Sequence, residues 1–321
     1  STGDLDFDPC EGQNPVGDAA LTQLCIDTGV PSNNIGFVDS IVAGQINNFL
    51  GGQPNLEPEE ADSVTVGIVI TPDAIPLTVA VDYYEIEIED AIQQISEQNI
   101  LNACYNVEQD ASAPFCSLIA RDPLTGGLIG GNDTGVDVSL RNAAIEKVSG
   151  IDFNVNYLQE LDSWGDLTFN IAAVHVIESE RQQAELFEVD DCAGLVGNTC
   201  TAPDPEWRFI QTTRWVKGPM AVNLRWQYMS SLTNDSIELD GNDPSSFATP
   251  KIDDFHYFDL SATYDINDSM TVRAGVTNIF DKQPPIVGND YGGTLENSGN
   301  TYPATYDPLG RSFFLGFNVS L

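Results

Sequence analysis

Apolar and polar positions alternate along much of this chain. Ile151, Phe153, Val155 and Tyr157 interleave with Gly150, Asp152, Asn154 and Asn156, and Leu167, Phe169, Ile171 and Ala173 with Thr168, Asn170 and Ala172. Met220, Val222, Leu224, Trp226 and Tyr228 do the same against Ala221, Asn223, Arg225 and Gln227, as do Met270, Val272, Ala274 and Val276 against Thr271, Arg273, Gly275 and Thr277. A period of two places apolar side chains on one face of an extended strand. These runs last about ten residues, the length a tilted strand needs to cross a bilayer, whereas strands of soluble sheets average about five or six. The pattern predicts nine strands, near 62–70, 76–88, 148–158, 165–177, 206–217, 219–229, 256–265, 269–278 and 311–321. The second changes phase at Tyr83–Tyr84, which predicts a bulge or the membrane boundary there.

The connections alternate between short and long. Thr71–Ile75, the region of Asp162–Ser163, Lys217–Gly218 and Ile266–Asp268 are short and rich in turn formers, whereas 89–147, 178–205, 230–255 and 279–310 are long. Short turns on one side and long loops on the other predict an all-β, antiparallel transmembrane β-barrel with its long loops outside the cell. A sandwich does not predict that alternation. On this reading residues 1–61 are an extracellular loop region leading into the barrel, and 62–321 are its C-terminal part. Nine strands leave two unpaired edges, which hydrocarbon does not tolerate. A tenth near Ile35–Ile46 would restore parity, but Gly44, Asn47 and Asn48 disfavour it, so the chain is expected to be a fragment of a larger barrel. No run of eighteen apolar residues is present, and Ser1 opens an acidic, turn-like stretch, so a processed or cut chain is expected.

Six cysteines occur as Cys10/Cys25, Cys104/Cys116 and Cys192/Cys200. Their short separations and polar surroundings predict three local loop-closing disulfides, hence an oxidising compartment. None belongs to a CxxC and the only histidines are His175 and His256, so a zinc site is not expected. The chain carries 49 acidic against 12 basic residues, a formal charge of -37. That excludes a nucleic-acid surface, which needs clustered Lys and Arg. A halophile-style surface, a calcium-loaded exterior and charged solvated loops all fit, and the acids gather between the strands, at Glu57 to Asp62, Glu185 to Asp191 and Asp235 to Asp243. Asp235, Asp240 and Asp243 are candidate calcium ligands, though their spacing is not that of an EF-hand; no other cofactor is expected. No GxSxG, HExxH or phosphate-cradling loop appears, so no catalytic residue is assigned and an enzyme is not expected. Outward-loop aromatics, Tyr105, Phe115, Phe187, Phe247, Tyr291, Tyr302 and Tyr306, are candidate ligand contacts, against the alternative that long loops need internal packing. Trp226 and Tyr228 read as belt residues, and Arg225 and Arg273 as partners of wall or plug acids.

Several ordered motifs resemble the C-terminal region of TonB-dependent outer-membrane receptors. Pro54, Asn55, Leu56, Pro58 and Glu59 are similar to an "NPxLxPE"-like motif just before a strand, and Val81 to Ile86 resembles the hairpin that follows. Asn278, Ile279, Phe280, Asp281, Lys282, Gln283, Pro284 and Pro285 look like the "NLFDKxPP" signature, and Gly310–Arg311 leads into a terminal strand with Phe313, Leu315, Phe317, Val319 and Leu321 in phase. Leu321 departs from the usual terminal aromatic residue. The resemblance implies a 22-strand parent barrel with an N-terminal plug and a segment contacting an inner-membrane energy-transducing complex. Its partners would be the remaining barrel strands and plug, lipid or lipopolysaccharide, and a small extracellular ligand. The implied function is active uptake of a scarce nutrient such as an iron chelate, cobalamin, oligosaccharide or peptide. A surface-adhesion barrel without a plug and a small passive channel of ten strands are the alternatives, with a secreted hydrolase a distant fourth.

Overall fold

In a computed structural model the described residues are 8–39, 46–131, 133–288, 291 and 300–320. Nine long strands form: β1 (Glu60–Ile70), β2 (Leu77–Gln93), β3 (Arg141–Glu160), β4 (Asp166–Gln182), β5 (Trp207–Lys217), β6 (Met220–Met229), β7 (Phe255–Asn267), β8 (Met270–Thr277) and β9 (Ser312–Val319). They lie side by side in chain order, from β1 at one edge to β9 at the other, with the two-residue strand Asp190–Asp191 added against β4. Every predicted strand is present. The order follows from the short turns, which let each strand pair with its sequence neighbour; Lys217 pairs with Met220 across Gly218–Pro219.

The register keeps the two faces separate. Across β5, β6 and β7 the apolar row runs Thr213↔Leu224↔Leu260 and Gln211↔Trp226↔Phe258, while the polar row runs Thr212↔Arg225↔Asp259. A one-residue slip would exchange the faces, so the alternation fixes the pairing. Large apolar side chains of this face remain exposed, Val66 at 66% and Phe313 at 74%. Such a surface is stable when lipid receives it. Aromatic rings mark two levels of it. Towards the long connections Trp207 stacks on His175 at 4.3 Å, Phe209 meets Trp226 edge-on at 4.7 Å and Trp226 stacks on Phe258 at 5.7 Å. Near the short turns Trp215 Nε1 donates to the Trp164 carbonyl at 2.7 Å and Lys217 lies over the Trp164 ring. Trp226 and Tyr228 thus sit in an aromatic array on this face.

β1 and β7 overrun their predicted ends by one or two residues, and three strands run well past them: β2 continues to Gln93, β3 begins at Arg141 and β4 ends at Gln182. In β2 the extension includes Asp90, which takes a positive φ of 53° and interrupts the alternation. Among its described residues, the stretch considered for a tenth strand joins no wall strand. Residues 35–39 are irregular, 40–45 lie outside the described residues, and Asn48–Phe49 pairs with Gly135–Asp137 in a small separate sheet. Residues 1–7 and Leu321 also lie outside the described residues.

The chain divides into two compact units. One holds 62–87, 147–181 and 190–321, the other 1–61, 88–146 and 182–189. The second unit, here termed the loop unit, contains helix α1 (Ala19–Asp27), started by Asp18, whose carboxylate accepts from Ala20 N and Leu21 N, and helix α2 (Glu97–Asn102), started by Ser96. Leu24, Val30, Ile100, Leu101, Leu128 and Val136 form its core.

Candidate functional site

The polar face of the wall carries a hydrogen-bonded hub at Asp259. Arg225 donates to its Oδ2 from Nε at 2.8 Å and through its terminal nitrogen at 2.7 Å, while Asn278 N donates to Oδ1 at 2.7 Å. β6 and β7 bring Arg225 and Asp259 opposite each other in register. Arg225 therefore pairs with an acid of the wall. Arg208, Arg214 and Arg273 share this polar face, Arg208 opposite Met229, Arg214 opposite Asn223 and Arg273 opposite Thr263.

The signature beginning at Asn278 forms a structural knot. Asn278 is buried, at a φ of 50°, and its side chain accepts from Lys282 N at 2.8 Å while donating to the Lys282 carbonyl at 2.9 Å. Asp281 Oδ1 accepts from Arg311 N at 2.8 Å, and Arg311 Nη1 donates to the Ile279 carbonyl. Gly310 has a φ of 70°, and a Cβ there would lie 2.9 Å from the Asp281 carboxylate, so glycine lets the strand approach. The knot pins both ends of the connection between β8 and β9. Phe280 projects from it at 72% exposure and meets Phe258 edge-on.

The earlier motif is stitched in a similar way within the loop unit. Asn142 accepts from Glu57 N at 2.8 Å and donates to the carbonyls of Glu57 and Asp90, while Glu59 accepts from Ile92 N at 2.7 Å. Pro54, Asn55, Leu56 and Pro58 lie in the irregular approach to β1. Sequence reasoning missed Asn142 and Asp259, because single polar residues inside a strand carry no local signal of long-range partners.

All six cysteines pair as expected: Cys10–Cys25, Cys104–Cys116 and Cys192–Cys200, with S–S distances of 2.04, 2.01 and 2.09 Å. The first two staple the loop unit around a buried charge cluster. Arg121 makes two 2.6 Å bonds to the Asp8 carboxylate, donates to the Tyr105 hydroxyl and reaches the Gly126 carbonyl at 2.9 Å. Burial works against the guanidinium charge, but Asp8 and Tyr105 more than offset it and raise the Arg121 pKa. Burial is also the main cause that raises the Tyr105 pKa, so the phenol stays neutral. Arg121, the one basic residue between the end of β2 and the start of β3, was the available sequence signal for a buried ion pair.

The loop aromatics serve packing in this structure. Tyr105, at 2% exposure, belongs to the loop-unit core; Phe115 and Phe187 are half-buried and meet edge-on at 5.5 Å. In the other unit Tyr291, Tyr302 and Tyr306 pack with Val196, Leu232, Ile252, Phe255, Tyr257 and Val287, and Tyr302 donates to the Tyr291 carbonyl. Phe247 is half-buried in the connection between β6 and β7. Of the acids considered for calcium, Asp235 is fully buried and accepts from Thr199 N at 2.8 Å and Cys200 N at 2.9 Å. Asp243 accepts from Ser245 N, which holds its carboxyl below the usual range, and Asp240 is exposed. Among the described residues no three His, Cys, Asp or Glu side chains are grouped to hold a metal ion, and no helix is long and apolar enough to cross a membrane.

The profile of the family described as "TonB dependent receptor-like, beta-barrel" matches residues 27–279. The chain belongs to this receptor family. Its members are outer-membrane β-barrels and not enzymes, and the wall described above is the C-terminal barrel portion that the motifs imply. Searched by sequence, the receptor chain matches none of the curated proteins. Among solved structures it is similar to the ferric enterobactin receptor of Pseudomonas aeruginosa in complex with enterobactin, with a TM-score of 0.56 at 16% identity over 85% of this chain and 33% of that one. It is also similar to the siderophore receptor PirA of Acinetobacter baumannii, with a TM-score of 0.52 at 15% identity over 85% and 33%. The receptor chain therefore spans about a third of the length of these solved receptors.

Proposed function

We propose that this chain forms part of the wall of an outer-membrane active transporter that takes up a scarce extracellular iron chelate. The observation that carries the reading is the family match over residues 27–279, which covers eight of the nine wall strands. The relatives of similar fold are siderophore receptors by name, which favours an iron chelate over cobalamin, oligosaccharide or peptide. Edge strands β1 and β9 need neighbours in hydrocarbon; further strands of the same receptor supply them, and a plug occupies the lumen. Energy comes from the inner membrane through a transducing complex that contacts the plug. Phe115, Phe187 and Phe247 keep partial exposure and are the loop aromatics to test first for ligand contact.

The test is uptake of radio-iron chelates by cells expressing the complete receptor in a receptor-deficient strain. Uptake that stops when the proton gradient is collapsed supports the proposal. Passage that persists without the gradient points instead to a passive channel, and no iron accumulation with any chelate removes the substrate assignment.

A further inference from the structure

The loop unit displays two apolar side chains on turns that hydrogen bonds hold rigid. Leu124 is 81% exposed at the tip of the turn Asp122–Gly127. Asp122 accepts from Leu124 N at 2.9 Å and Thr125 N at 2.7 Å, and Asp122 N donates to the Gly127 carbonyl. Gly126, at a φ of 77°, closes the turn, and its carbonyl is tied to buried Arg121. Phe37 is 76% exposed on a second turn, where its N–H donates to the Asn34 carbonyl. Asn34 Nδ2 joins the two turns, donating to the carbonyls of Leu124 at 3.1 Å and Thr125 at 3.0 Å. Val16, 52% exposed, flanks the neighbouring residue, Gly36. Single exposed apolar residues are ordinary. Two on cross-linked turns, backed by the Cys10–Cys25 staple and a buried ion pair, form a preorganised surface whose docking loses little side-chain and loop freedom.

The charge around this surface specifies what it fits. The loop unit contains 21 acidic side chains and two basic ones, Arg121 and Arg141. Both are already engaged, Arg121 buried against Asp8 and Arg141 paired with Asp137 at 3.4 Å. Asp18 and Asp39, both exposed, lie two residues beyond Val16 and Phe37. An apolar patch in such a field repels acidic polypeptides and draws basic ones.

We propose that the Phe37–Leu124 surface docks a basic amphipathic polypeptide, a partner separate from the transported ligand. Apolar side chains of the partner cover Phe37, Leu124 and Val16, and its Lys or Arg side chains meet the surrounding carboxylates.

The test uses the complete receptor in detergent and a labelled amphipathic Lys/Leu peptide of about 18 residues, long enough to form helix on the surface, read by fluorescence anisotropy. The matching Glu/Leu peptide is the control. Binding is expected for the Lys/Leu peptide alone, weakening as salt rises from about 50 to about 500 mM. The double variant Phe37→Ser/Leu124→Ser, with an unchanged protease-digestion pattern, is expected to bind at least about tenfold more weakly, as a pair of central apolar anchors should. Leu124→Gln alone provides a milder check. Undiminished binding by both variants means attraction by charge only and overturns the proposal. Absence of binding, equal binding of the Glu/Leu peptide, or receptor self-association lost in the double variant overturns it as well.

Discussion

The wall and the loop unit fold by opposite means. In the wall each long strand lies beside its sequence neighbour in one continuous ladder, and the apolar side chains stay on the surface. In the loop unit apolar side chains are buried in a core, and the decisive polar contact joins Arg121 to Asp8, 113 residues away. The wall relies on its ladder and on lipid; the loop unit relies on its own core, two cystines and one buried ion pair. The difference teaches that damage to the two should be separable, because neither draws its stability from the other's source.

The largest expected effect comes from Arg121→Met. It strands the buried Asp8 carboxylate, and breaking one side of a buried pair costs about 3–5 kcal/mol. Limited proteolysis should then cut within 94–140, while the wall keeps the heat-dependent gel mobility of a folded barrel. Simultaneous loss of the wall would break the comparison. Next comes Cys104→Ser with Cys116→Ser, which releases a loop closed over a sequence separation of 12. A loop of that length should cost about 3 kcal/mol by chain entropy. The same protease assay checks it, with intact Cys10–Cys25 in mass mapping as the control.

A smaller effect belongs to the wall. Asn278→Ala removes both side-chain bonds to Lys282 and leaves the αL position to a residue that favours it less. The cost should be about 1–3 kcal/mol. It should appear as a lower thermal midpoint of the β-sheet circular dichroism, with loop-unit proteolysis unchanged. An unchanged midpoint would mean that the signature is conformationally redundant with the β8–β9 ladder.

The contrast also explains what could be read in advance. Met220 to Tyr228 announces a strand because each residue's neighbour two places on shares its environment, and Gly218–Pro219 announces the hairpin. Leu24, Ile100 and Leu128 announce nothing, since their common core exists only after segments far apart in sequence have met. The cysteine spacings were readable because their partners are local, at separations of 15, 12 and 8. Tyr291, Tyr302 and Tyr306 invited a ligand role by chemistry and position; their packing against Val196, Leu232 and Ile252, which come from other connections, carried no local signal. The signature at Asn278 was legible only as a resemblance. Its mechanism required seeing Asp259 brought to it from β7 and Arg311 from the approach to β9.

The smallest expected effect tests where the two regions should behave alike. Asp122 in the loop unit and Asp243 in the other unit both build turns by accepting backbone N–H bonds, and those bonds hold both carboxyls below their usual range. An acid depressed in the folded state adds stability above its unfolded pKa, about 3.9, and loses it as pH falls through the lower folded value. Hydrogen exchange, corrected for intrinsic rates, should therefore show the Leu124, Thr125 and Ser245 amides opening as pH falls below about 4, with both turns responding over the same window. Asp122→Asn should abolish the pH dependence at Leu124 and Thr125 while leaving that at Ser245, because an amide oxygen still accepts but has no charge to lose. A response confined to the loop unit would mean that acid opens it by a route other than the Asp122 carboxylate, since the turn at Asp243 has the same local chemistry.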